Sequence, residues 1–226
     1  MTGLPRAFAL AVGQLSDPAF GRVLRKSILA TLAIFAVLGT AAWQGLSAAL
    51  RFYGAGYEGV SALIALALTV IGGWLLFRVV ALAVLQFFAD DVVRAVERRH
   101  YPHAAQVPDL PFRAEVAASG RALARVVAVN AVVLPIALIL LVTGIGTALL
   151  LWAANAWLLG RELTEMIWLR HRSAPGEDLP VSAATRFLLG GIVAALLIVP
   201  FVNLLAPLLG AAAATHLVHR ARPAHA

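Results

Sequence analysis

The amino-acid sequence predicts an all-α integral membrane protein with two long transmembrane helices, and three observations point there. Hydrophobic residues make up 62% of the 226 positions and charged residues 13%, against roughly 25% charged in a soluble domain. The mean hydropathy is +0.89. Apolar runs recur from Ile28 to His219 with no long polar linker, so the chain reads as a single membrane domain over 1–226.

The absence of cysteine excludes a disulfide scaffold, thiolate metal sites and thiol catalysis. The net charge is +7, but the basic residues are scattered along apolar segments instead of forming an aromatic-studded stripe. Lipid headgroups, not nucleic acid, are the expected counter-ions.

Leu4, Phe8, Val12 and Leu15 recur at helical spacing with Arg6 and Gln14 between them, which predicts an amphipathic interfacial helix over 4–15, lying on the membrane. Ala7 to Val12 is too short for the apolar part of a cleaved signal, and no small-residue cleavage site follows. Ser16-Asp17-Pro18 then resets the chain. Asp17 is suited to accept from free helix amides, and Pro18 has no amide to leave unpaired in a first turn. A first transmembrane helix is expected over 18–50, because Ile28 to Leu50 is uncharged for about 23 residues, enough to cross about 30 Å of hydrocarbon. Arg51 to Gly59, with Tyr53 and Tyr57, reads as an exposed turn with interfacial aromatics.

The second transmembrane helix is expected over 60–100. Val60 to Phe88 is broken by a single charge, Arg78. Asp90, Asp91, Arg94, Glu97 and Arg98 then alternate with Val92, Val93 and Val96 as a cytoplasmic extension. Tyr101-Pro102 ends it, and a Pro-rich loop reaches Pro111.

Two similar units follow, 112–172 and 181–220. Each has a basic approach (Arg121 and Arg125, then Arg186), two apolar arms around a break, and a basic exit. The breaks are Thr143-Gly144-Ile145-Gly146 and Pro200 to Pro207. Arms such as Val126 to Val142 and Gly190 to Val199 hold about 10 to 17 residues, short of the roughly 20 of a full crossing. Each unit is therefore either a hairpin that returns to its own side or a pair of thin or tilted crossings. Of 18 Lys and Arg, all but Arg51 and Arg78 flank the first crossing or follow the second. Those segments, both termini and the loop from Pro102 to Pro111 are expected in the cytoplasm, with Tyr53 to Glu58 outside.

Three constellations bear on function. Gly21-Arg22-Val23-Leu24-Arg25-Lys26 puts three cations at i, i+3 and i+4 in the first turns of a helix, where free amides and the helix dipole favour an oxyanion. The same cations would also serve as anchors to anionic lipid. Arg78 lies about 15 Å inside its helix end, a depth that costs several kcal/mol unless the charge is paired, hydrated or snorkelling. Its expected partner is Glu162 or Glu165. Asn155, Gly160, Arg161, Glu162 and Glu165 follow the first unit's return arm; no matching Glu-x-x-His exists for a paired-carboxylate metal site, so a salt bridge to an arginine is expected. His216 and His219 are also i, i+3, but no third ligand is identifiable, and they read as interfacial histidines. No Gly-rich Lys loop, Gly-x-Ser-x-Gly elbow or His-Glu-x-x-His motif is present. The sequence therefore predicts no enzyme, no cofactor and no metal.

Ser16-Asp17-Pro18 before a basic helix, Asp90-Asp91 through Glu97 to His100-Tyr101-Pro102, Leu159-Gly160-Arg161-Glu162, and Val199-Pro200 through Asn203 to Pro207 together resemble the CysZ-like family, which shares its domain with the etoposide-induced membrane protein. The resemblance covers nearly the whole chain. It implies two long transmembrane helices plus two re-entrant helical hairpins, a homo-oligomer in a bacterial-type inner membrane, and passage of sulfate into the cell for cysteine synthesis. It also implies a sulfate site near a Gly-Leu-Arg-Arg-type segment at the start of the first long helix. Here Gly21, Arg22, Leu24, Arg25 and Lys26 occupy that place without the contiguous string, and Arg78, Arg161, Glu162 and Glu165 are candidates for a pore or charge network. Two functions fit: a permease for sulfate or a related oxyanion, and a non-transporting membrane scaffold.

Overall fold

The computed structural model describes residues 3–16, 18–53, 89–174, 176–199 and 202–221, and every regular element among them is helical. The helices are α1 Gly3–Gly13, α2 Pro18–Tyr53, α3 Ala89–His100, α4 Phe112–Ile139, α5 Ile145–His171, α6 Ala183–Ile198 and α7 Ala206–Ala221. The chain divides into two compact units, one of Met1–Phe20 with Ala89–Ala226, the other of Gly21–Phe88.

In the second unit the described element is α2. It starts at Pro18 as the missing proline amide demands, and its 36 residues measure about 54 Å. It runs through Tyr53, so Arg51 and Tyr53 belong to the helix and not to a turn. Ile28, Leu29, Leu32 and Val37 are each at least half exposed, which suits a lipid environment better than water. Arg78 and the apolar run before Ala89 lie outside the described residues.

The first unit is a helical bundle built around α7. Residues from Ala206 to Val218 are all buried, because small alanines let α1, α3, α5 and α6 approach this one helix. α1 packs on it through Leu4, Ala7, Ala11 and, in the 3-10 turn that follows, Gln14. The face expected toward the membrane, Leu4, Phe8, Val12 and Leu15, is only in part the packed one: Leu4 is buried, Val12 is 53% exposed, and Gln14 is inside. Both faces satisfy helical spacing, and the alanine face wins because it fits closely against another helix. α1 is thus a packed element of the bundle.

α5 and α6 cross where both carry glycine. A Cβ on Gly160 would run into the Arg186 carbonyl, and one on Gly190 into the Ala156 carbonyl and the Gly160 amide. The backbones touch, as small residues at a helix crossing allow. Trp152 Nε1 donates to the Gly191 carbonyl at 3.0 Å across the same contact. Ser182 caps α6, its Oγ accepting from the Thr185 amide.

α4 and α5 form a helix pair joined at Thr143-Gly144-Ile145. Gly144 has φ +60° and ψ −60°, a conformation costly to any residue with a Cβ. Thr143 Oγ1 accepts from the Gly146 amide and donates to the Leu140 carbonyl, closing the turn, and Thr147 Oγ1 donates to the Ala137 carbonyl across the tip. The helix of the first arm is longer than its uncharged stretch: it begins at Phe112 and takes in Arg113, Glu115, Arg121 and Arg125. With its 3-10 turn, Phe112–Thr143 is long and apolar enough to cross a membrane by length and composition, and only 6% of its most apolar window is buried. A core helix of a water-soluble bundle would be mostly buried.

Candidate functional site

The predicted anion residues lie in the first turns of α2. Gly21, Arg22, Arg25 and Lys26 are exposed, and the first turn holds no acidic residue. A Cβ at Gly21 would meet nothing within 4 Å, so packing does not require glycine there. Leu24 falls in the same helix turn. The cations share one helix face, as their spacing requires.

The second group sits at the base of the α4–α5 pair. Arg125 on α4 reaches Glu165 on α5 at 2.8 Å, and Arg161, one turn earlier, reaches the same Oε2 at 3.4 Å. Glu165 thus has arginine partners within the described residues, and the expected pairing with Arg78 lies outside them. Glu162 is exposed at the rim of an open groove of about 380 Å³ lined also by Ser119, Ala122, Arg125 and Glu165. Arg186 lies half-buried in the first turn of α6. Burial, and then the charge of Arg161, pull its pKa below the usual guanidinium value.

The most tightly built group was not singled out by the sequence. Glu97 on α3 is 1% exposed and accepts three hydrogen bonds. Arg170 donates to Oε2 at 2.6 Å, His171 Nε2 to Oε1 at 2.8 Å and His219 Nε2 to the same Oε1 at 3.0 Å. Burial works to raise the Glu97 pKa, but the bonds from His171 and His219 and the charge of Arg170 outweigh it and hold the carboxyl down at about 2. Beside it, Tyr101 stacks on His219 with ring centroids 4.6 Å apart, and its hydroxyl lies 3.0 Å from His216 Nδ1. Gln14 Nε2 lies 2.9 Å from His216 Nε2. Burial, followed by the nearby His100, Arg220 and His219, pushes the His216 pKa down to about 4.

His216 and His219, expected as interfacial histidines, are parts of one polar core, and His171 and Glu97 are the partners that spacing alone did not reveal. The core joins the polar ends of α3, α5 and α7 with the end of α1, beyond the apolar arms. One signal was present in the sequence: Glu97 follows Val93 by four and Val96 by one, so it shares the apolar face of its helix.

These elements match a known pattern. Residues 7–207 match the family model described as "Sulfate transporter CysZ/Etoposide-induced protein 2.4". No curated protein and no solved structure matches the chain. With residues 7–207 of its 226 covered by that family model, the chain belongs to the sulfate transporter CysZ/etoposide-induced protein 2.4 family.

Proposed function

We propose that the protein is a multi-pass inner-membrane permease that passes sulfate or a related oxyanion, works without covalent catalysis and assembles as a homo-oligomer. The observation that carries this reading is the cationic start of α2, where Arg22, Arg25 and Lys26 are exposed with no acid in the first turn. The positive end of the helix dipole favours an anion there, and the three cations add to that attraction. Arg161, Glu162 and Glu165, with Arg125, form a second charged station.

The two helix pairs act in this reading as re-entrant hairpins. The tip of the first carries Ile139, Leu141, Val142 and Ile145, between 64% and 95% exposed. In water each such side chain forgoes about 1.5–3 kcal/mol of burial; hydrocarbon supplies it. The tip's irregular backbone is tolerated at membrane depth only when sheltered by neighbouring protein, which an oligomer provides.

Radiolabelled sulfate uptake by purified protein in liposomes tests the proposal. Arg25→Ala should weaken sulfate binding about ten-fold or more, the equivalent of one charge-assisted hydrogen bond, without reducing membrane insertion. Unchanged binding in Arg22→Ala, Arg25→Ala and Lys26→Ala alike would remove the site, and absence of uptake by the wild type would favour a scaffold.

A further inference from the structure

We propose that Glu97, His171 and His219 form a binding site for one divalent first-row transition ion, of which Zn²⁺ is the type. The three side chains come from α3, α5 and α7, and their ligand atoms all lie within 4.8 Å of one another. Two imidazole nitrogens and one carboxylate oxygen are a donor set suited to Zn²⁺ and its neighbours, with positions left over for water or an anion. The His216/His219 pair offered no third ligand in the sequence; the fold replaces His216 with Glu97, 122 positions from His219, and His171, 74 positions from Glu97.

The same distances that serve as hydrogen bonds are close to those between ligands on one ion. Oε1 stands 2.8 Å from His171 Nε2 and 3.0 Å from His219 Nε2. Tetrahedral bonds of about 2.1 Å separate adjacent ligand atoms by about 3.4 Å, so each ring needs to draw back by only about half an ångström to admit an ion. Both rings thus aim the same nitrogen at the same oxygen. His171 Nδ1 is buried with no hydrogen-bond partner among the described residues, so this ring is oriented from its Nε2 side alone.

The surroundings are those of a supported site. Arg170 holds Oε2 at 2.6 Å, leaving Oε1 for the ion, in the way that outer partners fix ligating carboxylates. Tyr101 stacks on the His219 ring and is itself held by His216, which Gln14 holds in turn. Coordination uses the Nε2 lone pair of each neutral imidazole, so each ring carries its one proton on Nδ1 and gives up its Nε2–H bond to Oε1 when the ion enters. A hydroxide or other anion in an open position offsets the positive charge that Arg170 adds. The bound ion ties together the ends of three helices, one from each helix pair and α3.

The test uses the full chain, purified in detergent without a histidine tag, stripped with chelator and titrated with CoCl₂ and then ZnCl₂. The wild type should take up about one Co²⁺ per chain with new visible absorption bands, lose them to Zn²⁺, and melt at a higher temperature with Zn²⁺ present. His171→Gln and His219→Gln keep an N–H for Glu97, so their folding, checked by circular dichroism and gel filtration, should survive while ion affinity falls ~100-fold or more. His103→Gln, at an exposed histidine in the loop after α3, should bind Zn²⁺ like the wild type. Three results each overturn the proposal: no stoichiometric Co²⁺ on the wild type, equal affinity in the two ligand variants, or a wild-type melting temperature indifferent to Zn²⁺.

Discussion

Glu97 concentrates more electrostatic consequence than any other described side chain. It is buried with a guanidinium and two imidazoles against it, and removing one member of such a group strands the others. Glu97→Ala should therefore destabilise the first unit by about 3–5 kcal/mol, read as a large drop in detergent melting temperature, and a wild-type melting curve would refute it. By contrast Arg94–Asp109, a close pair whose side chains are 46% and 52% exposed, should contribute under about 1 kcal/mol. His216 supplies a pH dependence. Its pKa is lowered from 6.5 to about 4 in the fold, so the unfolded chain binds the proton first. Stability is full above about pH 6.5 and falls as the pH drops toward 4. His100, Tyr101, His219 and Arg220 face this group, and the comparison must isolate it: the loss between those pH values should be shallower in His216→Gln, and identical slopes would show that another group is responsible.

At the scale of elements, the glycines divide into those that meet a neighbour and those that do not. Gly160 and Gly190 place backbone against backbone, where no flexible side-chain end is available to yield. Gly160→Ala or Gly190→Ala should push α5 and α6 apart and cost about 1–3 kcal/mol or more, while Gly120→Ala, which meets nothing within 4 Å, should be neutral or slightly stabilising in its helix. Equal melting temperatures for the three variants would refute the close crossing. Gly144→Ala tests the tip in the same way, since its backbone region costs a residue with a Cβ about 1–3 kcal/mol.

For the whole molecule, the proposed passage through an inner membrane is open to a direct test. The lack of cysteine makes single-cysteine labelling direct. Cysteines at 145 and 203 should resist a membrane-impermeant reagent added from the periplasm if both helix pairs are hairpins; rapid labelling at both would establish full crossings. A cysteine at 56 should label from the periplasm and one at 105 from the cytoplasm. Labelling of 56 from the cytoplasm alone would reverse the orientation.

The sequence by itself determined the helical class, the start of α2 at Pro18, the break at Gly144 and the family. Such signals are local: Pro18 lacks an amide, Gly144 accepts a backbone that other residues resist, and apolar runs betray their solvent. It also exposed the cationic start of α2, because three charges within five residues need no partner to be seen. Only the tertiary structure decided which face of α1 is buried, since Leu4-Phe8-Val12-Leu15 and Leu4-Ala7-Ala11-Gln14 both keep helical period, and the choice depends on how closely α7 can approach. Only it brought Glu97, Arg170, His171 and His219 together, because a contact between residues 122 positions apart leaves no spacing to read. A carboxylate in water and a carboxylate between two buried imidazoles have the same letter in a sequence; burial and its neighbours, set by packing, give the second its chemistry.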